Sequence, residues 1–587
     1  MKKLKTIVKK REFCLFILFV VGVLVHYLLS SFTKSIGVAP DELRYVALSK
    51  SLFNGGGIAI RGIPSTYQKV AYALFLTPFW AIKDAEIRIQ IITFANTALL
   101  MLGMIPLYKI CKYVKVPDKA QIIIVMLYII WPDMSFSMTM MAEILYWPLS
   151  LWLTYYWLKT VDDYSLKRGI VLACVSYVTY MCKEIGMGYV LTVVTYEIIK
   201  VIKARIKNEK GITRNQVQYL VSFLSCFLLI HILLKMTVFW GMGNSYNQMS
   251  IDVLFSLKNI VYMIYGFVYY MCVCLIATFF IPLIMPILSY KKLDSRGQHL
   301  CFWMIMNLII AIGTIVYTIT VREDFGDVIP RSHFRYIGPL LILVLVLLYK
   351  VQWDLFLKRR HVIVGILSFL LTFCIYRGTD GDIPVDQQIL WWTTEVDNWL
   401  YVILIEAIVI ALITFAIRNK RALEVIIVFL SLFMICDDYI AYNRLESFYS
   451  INDKIVDEVK EMNDYFDENN YSILYIASNK AGYGKKVSSM DLFFNQYKNV
   501  YFVNDEDLKN LENKNYKLEE LVLPAQLYLW SGGGDNKDIK EIEYIIIDSE
   551  IVRDGFMPGN IEIVNDLSNE DFVVCRNKDK SHLLINN

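Results

Sequence analysis

From Phe13 to about residue 440 the chain repeats one pattern: an apolar run, a short polar loop, then another apolar run. Nothing else in the sequence restricts the fold as strongly. A backbone in hydrocarbon has no water to bond, so each run must satisfy its own amides, and a helix does this within one segment. The runs fall at about 13–32, 87–108, 120–132, 144–159, 169–182, 185–201, 217–240, 259–289, 299–320, 336–350, 362–376, 399–417 and 422–440. This pattern predicts a polytopic α-helical membrane protein of about thirteen transmembrane helices. The charged fraction, 19% of 587 residues, lies below the quarter usual in soluble domains.

The loops alternate in sign. One set is basic: Lys2–Arg11, Lys109–Lys119, Lys159–Arg168, Lys200–Lys210, Lys291–Arg296, Lys358–Arg360 and Arg418–Arg421. The other holds Asp41, Glu42, Asp133, Glu143, Glu323, Asp324, Asp327, Asp380, Asp382 and Asp386. The basic loops belong to the cytoplasm, which puts the N-terminus inside, the acidic loops outside and the C-terminus outside. No small-residue cleavage site follows the first run, so it reads as a retained helix and not a signal peptide. Residues 1–440 are the membrane domain, with 33–86 a first outer loop carrying interfacial helices. After Asp437 the chain turns polar, with short strand-like runs at Ser472–Ile476, Val500–Val503, Tyr544–Ile547 and Phe572–Val574. Residues 441–587 therefore read as a small extracytoplasmic α/β or α+β domain. The eleven cysteines lie almost all in apolar runs, without a CxxC pair or a His/Cys cluster, so no zinc site or disulfide framework is indicated. The acidic outer loops exclude nucleic acid as a partner.

Candidate chemistry gathers in Pro40–Lys69. Asp41 and Glu42 open a helix-patterned stretch that ends at Gly55–Gly57. They read either as capping and solvated carboxylates or as a general base with its neighbour. Adjacent helical residues point about 100° apart, so only one of the two faces a given cavity, and Asp41 is favoured as the base. Lys69 either snorkels to lipid headgroups or binds a phosphate. Lys183 stands in a very short outer turn, either paired with Glu184 or beside the first loop. Glu143 opens the fourth run as a helix N-terminal carboxylate or as a second acid. Arg331, His333 and Arg335 form either a phosphate-binding cluster or a solvated loop with an arginine anchor, with His333 a ligand or proton carrier. The glycines at 55–57 and 532–534 read as turns, with no phosphate-cradling spacing.

The run Asp41-Glu42-x-Arg44-Tyr45, followed by Tyr67-x-Lys69, resembles the GT-C superfamily of polyprenyl-phosphate-sugar glycosyltransferases. The resemblance is to the branch holding the aminoarabinose transferases of lipid A and the protein O-mannosyltransferases. Val70–Lys183 fits that family's hydropathy and charged turn, as does Arg335-Tyr336 with Pro339. The tail carries no motif of the family. The resemblance implies a multi-pass enzyme of the bacterial plasma membrane that moves a hexosyl or pentosyl group, with inversion, from a lipid-phosphate donor to an acceptor glycan, lipid or protein. It implies Asp41 at the reaction centre, Lys69 and Lys183 near the lipid phosphate, Glu143 at the second-loop acidic position and Arg335 as a phosphate contact. The expected site adds Glu42 as a catalytic candidate and Arg44, Tyr45 and His333 as substrate- or lipid-phosphate-binding candidates. Gln68 departs from the family, where a Glu that helps bind a metal precedes the Lys. No cofactor is therefore certain, and a divalent cation stays an open expectation. A lipid-linked polysaccharide polymerase or ligase is the alternative, as is a transporter or flippase of lipid-linked sugar. The flippase would place its charges in mid-span, whereas here they gather at the outer ends.

Overall fold

The computed structural model describes residues 2–36, 40–60, 63–65, 67–206, 214–240, 256–321, 334–358, short pieces between 365 and 394, 399–469, 471–477, 500–504, 514–518 and 541–585 except 569 and 571. Its helices are α1 (Lys2–Ser30), α2 (Pro40–Phe53), α3 (Ala71–Leu76), α4 (Ala85–Leu102), α5 (Met104–Val114), α6 (Asp118–Ile129), α7 (Glu143–Asp162), α8 (Leu166–Cys182) and α9 (Met187–Ile206). They continue as α10 (Arg214–Met236), α11 (Leu257–Ala277), α12 (Ile281–Ser289), α13 (Ser295–Val321), α14 (Gly338–Leu347), α15 (Trp399–Arg418) and α16 (Ala422–Asn469).

Among the described residues eight helices are long and apolar enough to cross a membrane. A ninth is reached if α6 and the 3-10 turn Pro132–Met138, bent by 48°, count as one span. The protein is thus a multi-pass membrane protein. The sequence pattern puts spans at α7, α8 and α14 as well, and helices stand there. However, α8 has 17 residues and α14 only 10, while α7 alternates apolar side chains with Ser, Thr and Tyr. The run at 259–289 is two helices, not one. It breaks at Thr278–Phe280, where Phe279 and Phe280 take φ of +50° and +58°. The run at 362–376 lies mostly outside the described residues.

One continuous apolar core runs through the bundle from Val23 to Met434. Helix α2 differs from the expected surface helix. Leu43, Tyr45, Val46 and Leu48 are buried along with Glu42, Arg44 and Ser49, and of residues 41–53 only Phe53 is exposed. Periodicity identifies an apolar face but not what covers it. Here the cover is protein, namely α3 and the turn Thr77–Ala81. Helix α16 runs on for 48 residues, so the change to polar composition falls within one helix. Just past that change, Tyr442, Leu445 and Tyr449 are still buried against Met138 and Trp391.

Beyond α16 all four strand-like runs are strands. The strands of the sheet are β1 (Ile473–Ala477), β2 (Val500–Asn504), β3 (Tyr544–Asp548), β4 (Ile561–Ile563) and β5 (Phe572–Asn577), in the order β2-β1-β3-β5-β4. Strand β1 lies parallel to both β2 and β3, and β5 lies antiparallel to β3 and β4. A strand covered on both faces has no polar alternation, which is why Ile473–Ile476 is wholly apolar and wholly buried.

Helices α8 and α10 pack closely at Gly169, where an added Cβ would lie 2.6 Å from the Tyr219 carbonyl oxygen. Gly169→Ala must push the helices apart and is expected to cost about 1–3 kcal/mol. Gly313→Ala, with nothing within 4 Å, is expected to be neutral or to gain about 0.5–1 kcal/mol. Thermal unfolding of the two variants in the same detergent checks the contrast.

Candidate functional site

The centre is built from four separate parts of the chain. Asp41 comes from the first turn of α2 and Lys183 from the residue joining α8 to the next helical turn. Arg335 comes from the turn before α14, and Glu143 from the start of α7. Lys183 Nζ donates to Asp41 Oδ2 at 2.9 Å. Arg335 Nη2 donates to the same oxygen at 3.0 Å. Arg44, one helical turn on from Asp41, donates to the other carboxylate oxygen at 3.4 Å. Behind the cations, Glu143 Oε1 lies 2.9 Å from Arg335 Nε and 3.5 Å from Lys183 Nζ. Tyr336 closes the group: its hydroxyl lies 3.1 Å from Arg335 Nη2 and 3.5 Å from Lys183 Nζ.

The two acids of the centre differ in access. Asp41 keeps 25% of its side chain exposed, and Glu143 keeps none. The Asp41 carboxyl feels two opposed effects: burial raises its pKa, while Lys183, Arg335 and Arg44 lower it. The cations win, and the group stays well below the usual carboxylate range. Lys183 is the mirror case. Burial lowers its pKa, but Asp41 and Glu143 outweigh this and hold it well above the ordinary lysine value.

The two motif stretches of the first loop are stitched together by aromatic rings. Tyr45 and Tyr67 share a hydroxyl–hydroxyl bond of 3.0 Å, and the Arg44 guanidinium sits 4.4 Å from the Tyr67 ring centroid. This fixes Gln68 and Lys69 relative to Asp41 along the chain. Lys69 itself is buried, its ammonium 3.1 Å from the centroid of Tyr180 on α8. Burial pushes its pKa down to about 8.

Glu42 faces away from Asp41, as a 100° step on a helix requires. It accepts from the Met140 amide at 2.7 Å and from the Tyr449 hydroxyl at 3.4 Å. It therefore ties α2 to the loop before α7 and to α16, outside the ion cluster. His333 and Arg331 lie outside the described residues. Tyr449 and the Met140 amide were not singled out by the sequence, and Tyr336 was named only within the Arg335-Tyr336 motif, without a role. Tyr336 had one signal, its position next to Arg335, whereas Tyr449 stands about four hundred residues from its partner and had none.

Among the described residues no group of three or more His, Cys, Asp or Glu stands close enough to hold a metal ion. Asp41 and Glu143 both turn toward Lys183 and Arg335, and a divalent ion there would meet two cations already in place. The described donor set does not fit a divalent ion.

No family model matches the chain, and no curated protein matches it. Among solved structures it is similar to apo ArnT from Cupriavidus metallidurans, at 13% identity and a TM-score of 0.49, over 96% of this chain and 97% of that one. The form of ArnT bound to undecaprenyl phosphate is similar at 12% identity and 0.49, over 96% and 98%. The apo oligosaccharyltransferase of Archaeoglobus fulgidus is similar at 9% identity and 0.42, over 92% and 70%. ArnT and the archaeal oligosaccharyltransferase are GT-C superfamily members.

Lys69 makes a signed prediction. Folded, it gives up its proton near pH 8, against 10.5 for the ordinary side chain. Between those values the unfolded chain binds the extra proton, so this group adds stability as pH rises from about 8 to 10.5 and adds none below. Thermal stability measured against pH is expected to show this rise in the wild type and to lose it in Lys69→Met.

Proposed function

We propose that the chain is a membrane glycosyltransferase that moves a sugar from a polyprenyl-phosphate donor to an acceptor hydroxyl at the outer face, with inversion. The observation that carries this reading is the partly open Asp41 carboxylate held among Lys183, Arg335 and Arg44. A carboxylate beside fixed cations is what in-line displacement at an anomeric carbon requires when the leaving group is a phosphate. The acceptor oxygen attacks the anomeric carbon, and the bond from that carbon to the phosphate oxygen breaks. The electron pair leaves on the phosphate. The acceptor's proton passes to Asp41.

Each residue takes one part. Lys183 and Arg335 stabilise the charge that grows on the leaving phosphate, where fixed donors in a site shut off from water act most strongly. Arg335 can do so through two nitrogens at once, which Lys183 cannot. Lys69 is assigned to the lipid phosphate by the motif resemblance. Glu143 is fully enclosed and cannot reach a substrate, so it acts as a positioning residue that holds both cations from behind. Glu42 positions α2 through Met140 and Tyr449. The sugar and the acceptor class stay open: hexosyl or pentosyl, to glycan, lipid or protein. The concentration of these groups at one loop-facing centre supports chemistry over transport.

Asp41→Asn keeps the shape and removes the base. It is expected to fold, and to lower transfer from a polyprenyl-phosphate-sugar donor by about 10²–10⁴-fold. Wild-type transfer rates in the purified variant would remove Asp41 from the mechanism.

A further inference from the structure

The two cations assigned to the phosphate are the same two that hold the base. Lys183 Nζ and Arg335 Nη2 both donate to Asp41 Oδ2, at 2.9 and 3.0 Å. Arg44 takes the other oxygen at 3.4 Å. A carboxylate held this way accepts from three cationic donors, which stabilise its charged form, and it accepts a proton poorly. The arrangement therefore sets two requirements against each other. While Lys183 and Arg335 bond Asp41 they are not free for a phosphate, and while they do so Asp41 is a weak base.

The surroundings show which partner can yield. Glu143 is completely enclosed and holds Arg335 Nε at 2.9 Å and Lys183 Nζ at 3.5 Å. Tyr336 holds the same two groups from the side. The Tyr45 ring lies 5.7 Å from the Lys183 ammonium. The cations are thus anchored from α7 and from the turn before α14, independently of Asp41. Asp41 is the exposed member, at 25% of its side chain, and it stands at the very start of α2. Among the described residues, the charged and titratable groups around it are Arg44 and Tyr45 on its own helix, Tyr67 from the first loop, Lys183 from the end of α8, Arg335 and Tyr336 from before α14, and Glu143 from α7.

We propose that the donor's phosphate arms the base: it takes the hydrogen bonds of Lys183 and Arg335 from Asp41, so acceptor activation can only follow donor binding. This rests on the glycosyltransferase reading above. Phosphate oxygens compete well for these donors, since charge-assisted bonds to arginine and lysine are the stronger class. The incoming negative charge also raises the proton affinity of the carboxylate it displaces. As the bond to the anomeric carbon breaks, the phosphate gains charge and holds the cations harder, so Asp41 stays free to keep the proton it has received. When the lipid phosphate departs, the cations return to Asp41 and the proton passes to water. An empty site therefore contains an idle base, and the order is donor first, acceptor activation second.

The test is infrared difference spectroscopy of the full chain in lipid nanodiscs, with Asp41→Asn subtracted to isolate one carboxylate. Three arms are compared: no addition, a polyprenyl monophosphate, and inorganic phosphate. With the lipid, the Asp41 carboxylate stretch at pH 7 is expected to move toward that of a weakly bonded carboxylate. Its protonation midpoint is expected to rise by about 1–3 pH units. The same shift with inorganic phosphate shows that the phosphate alone arms the base. A shift with the lipid only shows that the chain must present it. An unchanged band, with phosphorus NMR showing the lipid phosphate bound, overturns the arming and leaves the transfer reading standing. Absence of binding by the lipid phosphate overturns both.

Discussion

One oxygen, Asp41 Oδ2, receives both Lys183 and Arg335, and that shared contact joins the start of α2, the end of α8 and the turn before α14. Burying such a cluster takes ions out of water, and the attraction among them offsets this only when the geometry is good and the remaining donors are met. Here they are met from several directions: Glu143 and Tyr336 hold the cations, and Arg44 covers the second oxygen of Asp41. A hydrophobic replacement of the same volume would serve stability as well or better. A buried ion cluster is therefore weak evidence for stability, and its place at the mouth of the first loop fits the reaction centre proposed for it.

The scaffold explains why the centre holds its shape. Each member sits at the end of an element and not in its middle. Asp41 opens α2, Glu143 opens α7, Lys183 follows α8 and Arg335 precedes α14. Ends of packed helices place a side chain firmly while leaving its tip near a cavity. Helix α2 is itself clamped, by Glu42 on the Met140 amide and Tyr449 and by Trp80 Nε1 donating to Ser49 at 2.8 Å. Trp147, whose indole donates to the Arg335 carbonyl at 3.2 Å, fixes the far side. The α16 helix that carries Tyr449 runs on to Asn469, so the element that bonds Glu42 of α2 leads in sequence into the C-terminal strands.

Much of this was legible in the residues, for physical reasons. Hydropathy marked the helices because lipid leaves a chain no other way to bond its backbone. The apolar run Ser472–Ile476 marked a strand. The opposite facing of Asp41 and Glu42 followed from the helical step, and the nearness of Lys183 to the first loop from the shortness of its turn. Other features had little or no local signal. The break at Phe279–Phe280 had only Pro282, in the first turn of α12. That α2 is covered by protein and not by lipid depends on what packs there, which periodicity does not encode. Tyr449 reaches Glu42 only through the path of the whole bundle. Glu143 looked like a helix-terminal carboxylate, and its enclosure behind two cations needed three distant segments to meet.

The central claim is that this ion cluster is a phosphate-dependent sugar-transfer centre. The most direct measurement is an experimental structure of the full chain with a polyprenyl monophosphate bound. The account predicts phosphate density within hydrogen-bond distance of both Lys183 and Arg335, with the Asp41 carboxylate drawn away from them and open to the cavity. Lipid phosphate bound elsewhere, with Asp41 still holding both cations, would contradict it.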